Sequence, residues 1–278
     1  MNRDSRSTPL SDAGRSWYHL RMRKHRLLLA SLAVSSALCG GPGSFSQAIP
    51  ASSAALNQVP FVGCASDGQV GLHAAPAGKS KAVAISAASA QRLAYYKAQY
   101  GLGVLAPRGW HCFSTYGSNG SSLFISPDAI DSKALFSDDW KGFSGQAIQI
   151  SYSSGGTSGR FEVAKVIARV FPAYKQFAQN VIAEGIEPAS DFPIGPYPHD
   201  KLTYRAQNVV EFETPANTAG LGTDSRLLPI ASPIDGVAII TGADTDLIQL
   251  SARVSEKDRD LIPFIVKQVE SDAQAEAQ

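Results

Sequence analysis

Three cysteines and two methionines in 278 residues are few. The cysteines show no C-x-x-C pairing and the histidines no H-x-x-x-H spacing, which argues against a dedicated metal site. An excess of one charge is also lacking, with 25 basic against 24 acidic residues, so the basic surface of a nucleic-acid binder is not indicated. Long apolar runs are missing: Leu27–Leu38 has 12 residues, short of the ~18 that a membrane helix needs. Nor is there a G-x-S-x-G elbow, an H-E-x-x-H helix, an S-x-x-K backed by K-T-G, or a G-x-G-x-x-G loop. The readable hydrolase and dinucleotide signatures go with them, and no cofactor is implied.

What is there begins with export. From Met22 the chain reads MRKHRLLLASLAVSSALCGGPGSFSQA, a basic start, an apolar run and then small residues. That is the order of a secretory signal peptide over about 22–48, with cleavage expected after Ala48. The polar stretch before it suits an upstream extension, and Met22 suits the true start. Cys39 follows Leu38 where a lipid-anchoring motif wants a small residue. A periplasmic or extracellular, soluble mature protein is therefore expected. Removing residues 1–48 leaves 18 basic against 22 acidic residues, a formal −4.

Processing also leaves two cysteines, Cys64 and Cys112. Two thiols in an oxidising compartment predict a disulfide. It would pin the segment around VPFVGCASDGQVG to GWHCFSTYG, stapling an N-terminal arm (49–100, including a leading helix) to the main body (101–271). His111, His73 and Asp67 would fall near that junction. The terminal stretch 272–278 is expected to fray.

Periodicity supplies the elements of the body. SAASAQRLAYYKAQYG carries Leu93, Tyr96, Lys97 and Tyr100 at helical spacing before Gly101, which predicts a helix. GLGVLAP, SSLFISP, GQAIQISYSS and KLTYRAQNVVEFETP read as strands. GVAIITG and DLIQLSARV read as a hairpin about ADT. In GQAIQISYSS, Ile148, Ile150 and Tyr152 alternate with polar neighbours, so one face is buried and one wet. The clearest helix is RFEVAKVIARVFPAYKQFAQNVIAEG, which Pro172 should kink or split. A last helix is expected from about Glu256 to Ser271, with Ser255 as its N-cap. Hairpins with helices between and after them predict an α+β domain built on a mainly antiparallel sheet.

The LAPRGW turn, the long central helix and the closing GVAIITG…LIQLSARV…helix resemble the PsbP-like fold over about Gly101 to Glu270. That resemblance implies an α/β/α sandwich of a kind that binds or assembles partners and mostly does not catalyse. The stretches VPFVGCASDGQ, GLGVLAPRGWHCFSTYGSNGS and VVEFETPANTAGLGT are similar to a set of uncharacterised exported bacterial proteins, which brings no catalytic residue.

Three loops offer places for function. Ser114–Ser122 joins Tyr116, Ser118 and Asn119 to nearby Trp110 and His111, a stacking and hydrogen-bonding set suited to a sugar or peptide, and Asn119-Gly120 is a strong hairpin turn signal. Ser153–Arg160 places glycines and Arg160 before a helix, where an anion could bind. Glu213–Arg226 is long enough for a lid or a partner surface. The sequence thus predicts a non-catalytic binding or accessory protein of the cell envelope, whose partner is a protein, a glycan or a small molecule. An exported hydrolase centred on His111, oriented by Asp67 or Asp200, is the alternative. The intact mass of protein exported from its native coding sequence should begin at Ile49, with two thiols alkylated only after reduction; two thiols alkylated without reduction would overturn the compartment argument.

Overall fold

The computed structural model describes residues 55–276; the signal peptide and upstream extension expected over 1–48 lie outside them. Two sheets and five helices follow in the order β1 (Leu56–Gly63), β2 (Ala65–Gly68), β3 (Ser80–Ala84), α1 (Ala87–Arg92), β4 (Leu93–Lys97), β5 (Val104–Pro107), β6 (His111–Gly117), β7 (Gly120–Ser126), α2 (Ser132–Leu135) and β8 (Ala147–Ser153). Then come α3 (Arg160–Val170), α4 (Lys175–Ala183), β9 (Lys201–Ala206), β10 (Val209–Thr214), β11 (Ile234–Thr241), β12 (Asp246–Arg253) and α5 (Ile262–Glu276). The larger sheet has eight strands in the order β2-β6-β7-β8-β12-β11-β10-β9, the smaller four in the order β3-β1-β4-β5. Every pairing is antiparallel except β1 with β4 and β2 with β6. The class is α+β with a mainly antiparallel sheet.

Side-chain alternation divides the large sheet into two faces. Ile148, Ile150, Val237, Ile239, Ile248 and Leu250 point into a core shared with the small sheet and α5. Val210, Phe212, Ala238, Ile240 and Leu247 pack on the other side against α3 and α4. Pro172 does split the central helix: Val170 ends α3, a 3-10 turn spans Pro172–Tyr174, and α4 starts at Lys175. Proline cannot donate the N–H that would continue the ladder.

Several boundaries depart from the sequence reading. The expected leading helix stops after Arg92, because Leu93, Ala94, Tyr95 and Tyr96 are all buried as the strand β4 between β1 and β5. A segment enclosed on both faces gains more as a strand than as a one-sided helix. Nor is 55–97 an arm: it forms three of the four strands of the small sheet and, through β2, an edge of the large one. Cys64 sits where the chain crosses from one sheet to the other, and its disulfide to Cys112 on β6 holds that crossing. Closing 48 residues restricts the unfolded chain by about 4 kcal/mol in the chain-entropy model. KLTYRAQNVVEFETP is a hairpin rather than one strand. The last α-helix begins at Ile262, six residues late, after a 3-10 turn, with Pro263 tolerated in its first turn. It runs on to Glu276 through the stretch expected to fray. Ala273 is buried, and Asp272 accepts hydrogen bonds from Lys81, Tyr95 and Gln268. No helix among the described residues is long and apolar enough to cross a membrane.

Arg253, at the end of β12, is 2% exposed, and burial lowers its pKa. Its guanidinium donates to the carbonyls of Phe143, Gly145 and Leu228, tying the loop before β8 to the loop before β11. Replacing it with methionine strands those carbonyls and should cost about 3 kcal/mol in urea denaturation. Arg253→Lys should restore only part of that, since one ammonium lacks the planar fork that reaches two loops. Equal stability of all three proteins would refute this role.

Candidate functional site

The face of the large sheet that carries α3 and α4 changes character halfway across. Register places Thr115, Ser122, Ser151, Gln249, Ala238 and Val210 in one row across β6, β7, β8, β12, β11 and β10. The neighbouring row reads Phe113, Phe124, Gln149, Ser251, Gly236 and Phe212. The β10–β11 half is apolar and lies beneath the helices. The polar half around β7, β8 and β12 floors an open groove of about 630 Å³, within the range of small-molecule sites.

The floor is partly wired together. Ser122 and Ser151 share a hydrogen bond of 2.9 Å, and Gln149 donates to Ser151 at 2.8 Å. Gln149 accepts from the Arg226 N–H, and Gln249 donates to the Leu221 carbonyl. Ser251 also lines the groove, is 1% exposed, and its hydroxyl has no partner. A hydroxyl buried without a partner costs about 1–3 kcal/mol.

One wall is the face of α3 formed by Glu162, Lys165, Val166 and Arg169, spaced at three and four residues as one helical stripe requires. Lys165 is held by Glu162 at 2.9 Å and Glu187 at 3.2 Å. Arg169 donates to the Gly195 carbonyl and lies 4.0 Å from the centre of the Tyr197 ring. The Tyr197 hydroxyl donates to Asp224 at 2.6 Å. Asp224 closes a 3-10 turn, Leu221–Asp224. Asp200 and Thr214 anchor that turn by accepting the N–H groups of Leu221 and Gly222.

Asp224 is open to water, yet protein on either side strips part of its hydration. Desolvation pushes its carboxyl up to about 6, against the opposing hydrogen bond from Tyr197 and the charge of Arg169; Asp200 and Glu162 push the same way as desolvation. Desolvation and the same hydrogen bond push the Tyr197 phenol up to about 12.

No family model, curated protein or solved structure matches this chain. The chemistry of the groove therefore rests on its own geometry.

The residues singled out from the sequence divide between this groove and the scaffold. Tyr116 and Asn119 line the groove. The Tyr116 ring stacks near Tyr100 and His73, with its hydroxyl donating to the Gly71 carbonyl. Ser118 and Asn119 form the two-residue turn, one position earlier than Asn119-Gly120; Gly120 opens β7, where a Cβ would lie 1.9 Å from the Tyr152 carbonyl oxygen. Trp110 is half-buried against the core, its backbone N–H donating to the Tyr96 hydroxyl. His111 is exposed on β6 opposite Ser126. Asp67 accepts its neighbour's N–H, and Asp200 holds the 3-10 turn, so neither orients His111. Arg160 is paired with Glu184 at 2.6 Å. The N–H groups of Ser154, Gly155 and Gly159 donate to Asn119, Asp246 and Thr157. The anion cradle expected at Ser153–Arg160 is thus filled by the protein's own acceptors. Both sulfurs of the Cys64–Cys112 pair are bonded to each other and cannot serve as thiolate ligands.

A carbon-13 carboxyl titration should find Asp224 near 6, and Tyr197→Phe should move it higher by removing a hydrogen bond to the ionised form. The native state then holds more protons than the unfolded chain between about pH 4 and 6. This group's contribution to stability therefore falls as pH rises through that window, and Asp224→Asn should abolish that component. A native midpoint near 4 would refute the desolvation of this wall.

Proposed function

We propose that this chain is an exported, non-catalytic binding protein of the cell envelope that holds a polar ligand in the groove beside α3. The observation that carries the reading is the buried Ser251 hydroxyl, left without a partner in an open polar groove. A buried hydroxyl without a partner is costly, and a ligand that completed its hydrogen bonds would offset that cost. The Cys64–Cys112 disulfide suits an oxidising compartment. Residues from Ser114–Ser122 and Glu213–Arg226 both line the groove, in keeping with a binding role for those loops.

An exported hydrolase is the second reading, and Asp224 is the observation in its favour. A carboxyl that keeps its proton to about 6 in a groove has the property that general acid catalysis requires. On that reading the groove, not the surroundings of His111, carries the chemistry.

A thermal-shift screen of sugars, amino acids, short peptides and polyamines tests the first reading. A groove ligand should raise the melting temperature in proportion to the logarithm of its concentration, and Ser151→Leu should abolish the shift. Absence of any hit, or hits indifferent to Ser151→Leu and Gln249→Leu, would overturn it. Turnover of an ester, glycoside or peptide that is lost in Asp224→Asn and kept in His111→Ala would put the second reading in its place.

A further inference from the structure

We infer that the groove takes a neutral, hydroxyl-rich saccharide. This rests on the binding reading above and deepens it to a chemical class.

The floor supplies the first argument. Thr115, Ser122, Ser151 and Ser251 offer hydroxyls, and Gln149 and Gln249 offer amides. Each of these groups can both donate and accept. A ligand that matches them must present groups with the same double capacity at short intervals, which is what the hydroxyls of a sugar ring do. Ser251 has both capacities unspent.

Charge supplies the second. The wall presents three carboxylates, Glu162, Asp191 and Asp224, and two cations. Both cations are engaged: Lys165 lies between Glu162 and Glu187, and Arg169 between the Gly195 carbonyl and the Tyr197 ring. Glu162 is spent on Lys165, so an anionic ligand would meet two like charges, Asp191 and Asp224, and no free cation, and phosphates and acidic peptides are disfavoured. Ionised carboxylates accept only, and sugar hydroxyls are ready donors to them.

Shape supplies the third. Tyr197 and Phe136 bring aromatic rings to the groove, and Phe136 is 59% exposed. The C–H face of a pyranose is the apolar surface of an otherwise polar molecule, and an aromatic ring gives it a flat place to pack. A polyamine could use those rings through cation–π contact, but its ammonium groups only donate and would leave the donor capacity of the floor unmatched.

The test is retention of the folded, oxidised protein on an array of neutral oligosaccharides, with sialylated and sulfated versions of the same cores as anionic comparators. Neutral glycans should be retained, and their acidic versions should bind at least tenfold more weakly. Gln249→Leu should weaken retention about tenfold. So should Phe136→Ser, which alters an exposed ring and leaves the core intact. Calorimetry with the free oligosaccharide and co-sedimentation with insoluble chitin and cellulose then separate a soluble sugar from a polymer as the source. Retention of the acidic versions alone, or of no glycan, overturns the proposal. A blank array beside a groove-dependent hit in the thermal-shift screen removes the saccharide and keeps the binding reading, whereas two blanks remove both.

Discussion

One constraint shapes this molecule: an eight-stranded sheet has more surface than two short helices can cover. On its other side the problem does not arise, because α5 and the small sheet bury the face from Leu123 on β7 to Val237 on β11. On this side α3 and α4 amount to 11 and 9 residues on either side of Pro172, about 17 and 14 Å of helix. They bury Val210, Phe212, Ala238, Ile240 and Leu247 and leave β7, β8 and half of β12 uncovered. Apolar residues left there would form an exposed patch of the kind that drives association. The chain places serine, threonine and glutamine instead, so the groove follows from where the helices stop.

Keeping that groove open requires its rim to be fixed without filling it, and polar contacts do so. Arg253 reaches from β12 to carbonyls of two loops, and Gln149 accepts the Arg226 N–H from the floor itself. Asp200 and Thr214 hold the turn that ends at Asp224. On the opposite side, Gln268 of α5 accepts from Leu105 and covers the free edge of β5, which closes an edge that could otherwise recruit another chain. Removing one partner of such a buried contact is costly because the other is left unsatisfied, and the pair fixes the placement of the rim.

The scaffold was legible wherever a local signal acted alone. Alternation marked β8, the stripe and its proline marked α3 and α4, and two cysteines in a chain expected to be exported marked the disulfide. Prediction failed where tertiary burial overrode periodicity. Leu93–Lys97 carries a helical pattern, but enclosure between two strands decides its conformation. The groove was missed for a related reason. Its wall joins Glu162, Tyr197 and Asp224, which are far apart in sequence and meet only through the fold. One signal could have been read: β8 and β12 each carry a Gln-x-Ser triplet, Gln149-Ile150-Ser151 and Gln249-Leu250-Ser251. Two neighbouring strands with polar residues alternating against isoleucine and leucine mark a shared polar face.

The antiparallel pairing of those triplets bears on what the groove can hold. Gln149 lies opposite Ser251, and Ser151 opposite Gln249, so amides and hydroxyls alternate both along and across the strands. Gln149, Gln249 and Ser151 spend part of their capacity on the protein, and Ser251 spends none. The open valence is therefore off-centre, at the β12 end of the floor and one strand from the apolar rows beneath α3. A ligand seated there meets a hydroxyl below and the Arg169–Tyr197–Asp224 series at the wall. That series passes from cation to ring to carboxylate with no free charge of either sign until Asp224 ionises. Below about 6 its protonated carboxyl can donate as well as accept. Once ionised it accepts only, and the hydroxyls and amides of the floor supply the donors that a hydroxyl-bearing ligand would need.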